Sequence, residues 1–301
     1  MGTPDFAVPS LRILMNEGFP VVGVVTGPDK PRGRGRVVSP TPVKEVAAAA
    51  GLPVLQPEIL TDPLFEKQVR ALDPDLIVIV AFRILPASIF TLPRLGSFNL
   101  HASLLPRYRG AAPINWAIIN GDTETGVTTF FLEDRVDTGN IIMQERTPIG
   151  PEDDAGELHD RLALLGARVV LSTALAIEGG KAVTTSQDPA LVSKAPKIFK
   201  EDCHIRWDQP PERARNFIRG LSPSPTAWTR HGEVLLKIFK TEQFDNLIDV
   251  PGTASVIQDA LVVQCKEGRL KILELQQEGK KRMSAGEFLR GYRFPDGDLL
   301  Q

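Results

Sequence analysis

Short apolar runs alternate with stretches of helical spacing through the first half of the chain. Residues 21–26 (VVGVVT) and 76–81 (LIVIVA) are rich in β-branched side chains and bounded by turn residues. They read as strands covered on both faces of a parallel sheet. Residues 42–50 and 62–72 read as intervening helices. This alternation predicts a doubly wound α/β sheet, in which ligands sit beyond the carboxyl ends of the strands. Residues 98–101, 126–132 and 141–146 are further strand candidates, the last two able to form a hairpin. A long helix is expected over 156–178, closed by Gly179 and Gly180.

The pattern then changes. Residues 184–202 are polar and irregular, with Pro189 and Pro196, and read as a linker. A helix over 212–221 is stopped by the residues from Ser222 to Pro225. After it come five short runs, 226–230, 234–240, 252–257, 261–265 and 271–276, with turns between them. That rhythm predicts a small β-barrel or sandwich. Ser284 and Glu287 have capping-box spacing and open a last short helix. The expected domains are therefore 1–184, a linker over 185–205, and 206–301.

Composition narrows the class. With 301 residues, 42% hydrophobic and 24% charged, the chain can bury one large or two ordinary cores. The net charge of −2 argues against a protein dominated by nonspecific nucleic-acid binding, so an RNA partner must be met by local basic patches. Cys203 and Cys265 form no CxxC pair and read as buried free thiols, not a metal site. No apolar run approaches a membrane span and no secretory signal is evident, so a cytoplasmic enzyme without membrane contact is expected.

Candidate chemistry gathers near the middle. On a strand, Asn99 and His101 point to one face. An amide donor beside an imidazole can hold a carbonyl oxygen and manage a proton. Ser103, Leu104, Leu105 and Pro106 then turn the chain into a basic loop, and Pro113 suits a first helical turn. Asp137, Thr138 and Gly139 follow a strand and should form a turn. By spacing alone these residues fit a structural histidine and an ordinary turn as well as a site.

The run from Asn99 to Ile114 (NLHASLLPRYRGAAPI) closely resembles the hallmark of the folate-dependent formyltransferases. The opening GTPDFAVPS from Gly2 to Ser10, the loop from Pro28 to Lys44, the VDTG from Val136 to Gly139, and Ile218 to Leu221 with Pro223 and Pro225 are similar to the same family. The resemblance spans nearly the whole chain and is strongest to the branch acting on methionyl initiator tRNA. It implies a Rossmann-like catalytic domain followed by a small OB-like β-barrel. It implies transfer of a formyl group from 10-formyltetrahydrofolate, as cosubstrate and without a metal, to an amine. It makes Asn99, His101 and Asp137 the catalytic group. It places folate along Ser103, Leu104, Leu105 and Pro106, with its pterin near Phe82, Ile84 and Leu85. The family usually has a Tyr–Gly pair where this chain has Phe82 and Arg83, so Arg83 is expected to alter that pocket wall.

Lys30, Arg32, Arg34 and Arg36 alternate with Pro31, Gly33 and Gly35. Such a run is ordinarily a solvated loop, and the missing third glycine excludes a dinucleotide fingerprint. The resemblance makes it the loop that meets the acceptor end of the tRNA, where positive charge suits phosphate contacts. A monomer is expected. The nearest rival is a formyltransferase acting on a purine precursor or an amino-sugar nucleotide, which would need neither this loop nor the barrel-like tail. An aspartic protease needs two carboxylates sharing a proton, and a single Asp–Thr–Gly occurs. A non-catalytic RNA-binding protein would have no need of the intact trio. Family members also carry an apolar strand before the Gly–Thr–Pro segment, whereas Met1 directly precedes Gly2. Restoring upstream residues is therefore expected to raise solubility and thermal stability.

Overall fold

The computed structural model describes residues 1–32, 37–295 and 297–301, with the side chains of Arg32 and Val37 excepted. The chain forms two compact units. One comprises Met1–Gly110, Thr125–Thr147 and His159–Lys194, and the other Ala111–Glu124, Pro148–Leu158 and Ala195–Gln301. The second unit thus gathers two earlier stretches of chain besides the C-terminal part that the sequence pattern marks.

In the first unit, the strand Ile77–Val80 pairs in parallel with Ser97–His101. Ser97–His101 in turn pairs antiparallel with Glu124–Phe131, and Ile141–Pro148 lies beyond. Val24–Val25 pairs in parallel with Val54–Leu55 as a separate ribbon. The apolar run 21–26 is thus a strand over two residues only, because that is where Pro53 and Leu55 supply carbonyls to Val24 and Thr26. Met1 and Gly2 stand between ribbon and sheet. Gly2 N–H donates to Val25 O at 3.0 Å, and Val80 N–H donates to Met1 O at 2.9 Å. Beside them is an apolar cavity of about 270 Å³, lined by Leu14, Val24, Val25, Ile77 and Val78 among others. Val25, Phe65, Val69, Ile77, Ile79, Ile89 and Phe90 form one core cluster.

Helix Pro42–Ala49 starts at Thr41, whose hydroxyl accepts from Lys44 N–H and also bonds the Thr26 hydroxyl at 2.8 Å. Pro63–Ala71 is capped in the same way by Asp62. Both helices place proline in the first turn, where its missing N–H costs nothing. Val8–Asn16 is a further helix that the sequence pattern did not single out. Ala155–Glu178 ends as expected: Gly180 has φ +63°, and Lys181 N–H donates back to Ala176 O.

In the second unit, helix Pro113–Ile119 packs on Pro211–Leu221. The contact is close at Gly220, where a Cβ would stand 2.7 Å from Ile119, and Asn115 donates to Gly220 O at 2.8 Å. Arg219, its ionisation disfavoured by burial, donates to the carbonyls of Gly150 and Asp153. The sheet is antiparallel in the order Ala227–His231, Val234–Asp245, Gly268–Gln277, Ala260–Cys265, Ala254–Ile257. The C-terminal residues bond to both ends of this order: Leu299 bridges Thr253, and Leu300 bridges His231. Ser284 and Glu287 form the reciprocal capping box of helix Ala285–Gly291. Cys203 and Cys265 are both buried free thiols.

Candidate active site

The strand Ser97–His101 alternates as its sequence predicts. Phe98 and Leu100 are buried, and a Cβ on Gly166 would meet Leu100 at 2.6 Å. Asn99 and His101 project from the opposite face. Asn99 is half-buried, and among the described residues its side chain makes no hydrogen bond. Its amide is therefore available to an outside acceptor.

His101 is 6% exposed. Its Nε2 lies 2.8 Å from the carbonyl oxygen of Tyr108. A carbonyl only accepts, so Nε2 carries the proton, and in the neutral ring Nδ1 is left as the acceptor. Tyr108 can offer its carbonyl there because its backbone is left-handed, φ +61°, with N–H donated to Ser193 Oγ at 2.9 Å. Nδ1 faces Asp137, with 4.0 Å to Oδ2.

Asp137 is also buried and left-handed, φ +55°. Its Oδ2 accepts from Gly110 N–H at 2.9 Å. The turn is tight: a Cβ on Gly139 would lie 1.7 Å from Phe131 O, so only glycine fits. Gln187 closes the arrangement. Its Nε2 donates to the carbonyls of Asp137 and Gly139 at 2.9 and 2.8 Å, while Oε1 accepts from Arg109. The structure thus brings Asn99, His101 and Asp137 together at one end of the sheet.

The loop after the strand is held from below. Thr128 Oγ1 donates to Ser103 O, accepts from Leu105 N–H, and also accepts from Gln144 Nε2. Gln144 Nε2 donates to Leu105 O as well. Ser103 Oγ donates to Arg107 O, and the Leu105–Pro106 peptide is cis. Ser103 and Leu105 are buried side chains and Leu104 is half-buried. Of the expected pterin neighbours, Leu85 belongs to the core, Phe82 packs against it, and Ile84 is 74% exposed. Arg83 donates to the carbonyls of Pro57 and Glu58, with its guanidinium 5.4 Å from the Phe82 ring centroid. A cleft lies beside Asp137, lined by Phe90, Arg109, Leu132, Glu133, Asp134, Arg135 and Thr138.

Lys30 is exposed on a hairpin in which Lys30–Arg32 pairs antiparallel with Val37–Ser39. The hairpin's base is tied by Asp29, which accepts from Lys44 Nζ at 2.5 Å and from Gln56 Nε2 at 2.7 Å. The side chain of Arg32, and all of Arg34 and Arg36, lie outside the described residues.

Sequence reasoning missed Tyr108, Gln144, Gln187 and the cleft residues Phe90 and Leu132. Tyr108 stood inside the quoted motif, but its contribution is a carbonyl, which no side-chain pattern announces. Gln187 lies in a polar, irregular stretch with no local signal at all.

Comparison with known proteins identifies the family of the chain. Residues 1–174 match the formyl transferase family, and residues 197–293 match the formyl transferase C-terminal domain. The chain is 49% identical over 309 residues to the methionyl-tRNA formyltransferase of Bacteroides thetaiotaomicron, covering 99% of this chain and 96% of that protein. It is 51% identical over 306 residues to the enzyme of the same name from Parabacteroides distasonis, covering 97% and 94%. Among solved structures, an N-formyltransferase from Helicobacter canadensis, in complex with folinic acid and dTDP-3-aminofucose, shares the fold. Its TM-score is 0.66 at 21% identity, covering 90% of this chain and 96% of that one.

Proposed function

This chain belongs to the methionyl-tRNA formyltransferase family, and from that membership we propose that it transfers a formyl group from 10-formyltetrahydrofolate to the α-amino group of methionyl initiator tRNA. The observation that carries the reading is the unbonded amide of Asn99 on the same face as the His101–Asp137 pair.

The chemistry follows from that geometry. The neutral amine attacks the formyl carbon, and the carbonyl oxygen gains negative charge in a tetrahedral intermediate. Asn99 donates to that oxygen, a contribution of ~3 kcal/mol for a well-placed donor. As the new C–N bond forms, the amine sheds a proton. His101 Nδ1 is the acceptor left open by the bond to Tyr108, and the imidazolium so formed faces the Asp137 carboxylate. Collapse breaks the bond from the formyl carbon to folate N10. N10 takes up a proton, and tetrahydrofolate leaves.

The pterin is proposed to lie near Phe82, Ile84 and Leu85. Leu85 shares a core cluster with Phe90, and Phe82 and Leu132 pack against that cluster, so Phe90 and Leu132 carry the same apolar wall into the cleft beside Asp137. The Lys30 hairpin supplies charge for the acceptor end of the tRNA. The second unit supports a role in holding the tRNA body. Its strand order, joined at both ends by the C-terminal residues, reads as an OB-like barrel, an architecture that commonly binds RNA. The setting is cytoplasmic.

The test measures labelled formyl transfer to methionyl initiator tRNA beside elongator methionyl-tRNA, free methionine and an amino-sugar nucleotide. Transfer confined to the initiator species, and lost in Asp137→Asn, supports the reading. Transfer to the sugar nucleotide instead moves the chain to the small-amine branch.

A further inference from the structure

We infer that Gln187, in the irregular stretch after the long helix, is a positioning residue that sets where the Asp137 carboxylate stands. This rests on the catalytic role proposed for Asp137. Three observations support it. First, Asp137 sits in a backbone conformation that only a minority of non-glycine residues adopt, φ +55°, so something must hold it there. Second, the one side chain whose amide reaches both carbonyls of that turn, at Asp137 and Gly139, is Gln187 among the described residues. Third, the other end of the same amide accepts from Nε and Nη2 of Arg109, at 3.1 and 2.7 Å. Arg109 immediately precedes Gly110, whose N–H holds Asp137 Oδ2.

One planar group therefore ties the turn that carries the carboxylate to the strand that donates to it. Either tie alone would leave a hinge. With both, the direction of Oδ2 toward His101 is set by a closed ring of bonds: Gln187 to Asp137, Asp137 to Gly110, Arg109 to Gln187. Glutamine alone serves all of these bonds. A glutamate keeps the acceptor for Arg109 but turns a donor into a charge facing two carbonyl oxygens. An asparagine is too short by one methylene to span both sides.

The consequence is kinetic. A carboxylate displaced by a fraction of an ångström still binds substrate but no longer meets the proton-accepting imidazole correctly, and such misplacement can cost about 10²-fold in rate. In formyl transfer to methionyl initiator tRNA, Gln187→Ala and Gln187→Glu are expected to lower kcat about 10- to 100-fold. KM for the tRNA should change by less than about threefold. The acidic limb of the kcat–pH profile should move, because the essential acid–base pair is the one disturbed.

Asp137→Asn is assayed alongside. If the wild type is active and Asp137→Asn is not, while both Gln187 variants keep wild-type kcat and pH profile, the positioning role is overturned and the catalytic reading stands. A lowered melting temperature with unchanged kcat and pH limb overturns it equally, since that is what a merely structural contact would give. If Gln187→Ala does not fold, the near-isosteric Gln187→Glu decides. If Asp137→Asn is as active as wild type, the reading beneath the inference falls, and the inference with it.

Discussion

His101 Nδ1 stands 4.0 Å from Asp137 Oδ2, and the ring's other nitrogen is held at 2.8 Å by the Tyr108 carbonyl. The imidazole is thus anchored through one nitrogen, while the other faces the carboxylate. The roles proposed for Asn99 and His101 are experimentally separable. Asn99→Ala removes the proposed oxyanion donor and should lower kcat by about 10²- to 10³-fold. His101→Ala removes the proposed proton acceptor and should cost about 10²- to 10⁴-fold. Circular dichroism melts should stay close to wild type for Asn99→Ala, because that side chain bonds nothing inside the described protein.

Gly139 is held by sterics rather than chemistry. A methyl group there would lie 1.7 Å from Phe131 O, inside any contact distance. Gly139→Ala should therefore destabilise the protein by at least about 2 kcal/mol and displace Asp137 with it. Urea titration of the variant reads the first effect and the formyl-transfer rate reads the second. A midpoint equal to wild type would show that the turn can open at no cost.

The basic run from Lys30 to Arg36 is predicted to act on tRNA affinity and not on chemistry. Replacing Lys30, Arg32, Arg34 and Arg36 by serine should raise KM for the tRNA while leaving KM for the formyl donor unchanged. Each lost phosphate contact should reduce the slope of log K against log salt by about 0.7–0.9. Binding measured at several salt concentrations checks this, and an unchanged slope would place the tRNA elsewhere.

In a chain that begins at Met1, burial pushes the α-amino group down from its ordinary 8.0 to about 5, where it donates to Val78 O. Between about pH 5 and 8 the unfolded chain binds a proton there that the folded chain does not. Stability contributed by this group therefore rises with pH across that window and is level above it. The full swing is on the order of a few kcal/mol. Melting temperature followed from pH 5 to 8 should climb for this chain and flatten when the amine is replaced by a peptide bond to upstream residues.

The thiols should be silent. Burial pushes Cys265 up to about 12, and burial with the neighbouring Asp202 and Glu201 raises Cys203. Since the thiolate is the reactive form, neither should be alkylated by iodoacetamide at pH 8 in the native protein. Both should react after unfolding in denaturant, and mass spectrometry counts the adducts.

Local chemistry written in the chain itself determined much of this protein. Strand alternation put Asn99 and His101 on one face, proline and Thr or Asp placed the helix starts at 42 and 63, and glycine placed the end of the long helix. These are signals that act within a few residues, so they are legible one residue after another. The division into units was not local. Helix Pro113–Ile119 joins the C-terminal part because Gly220 lets it approach, a pairing across a hundred residues of chain. The short strand Val24–Val25 was likewise decided by which carbonyls lay within reach, not by its longer apolar run. The same holds at the site. Asn99, His101 and Asp137 could be named from their motif, but the bonds that hold His101 and the Asp137 turn use backbone carbonyls and N–H groups of Tyr108, Gly110, Asp137 and Gly139, with Gln187 arriving from a distant stretch. Backbone groups are the same at every residue, so only the tertiary structure could decide which of them would meet.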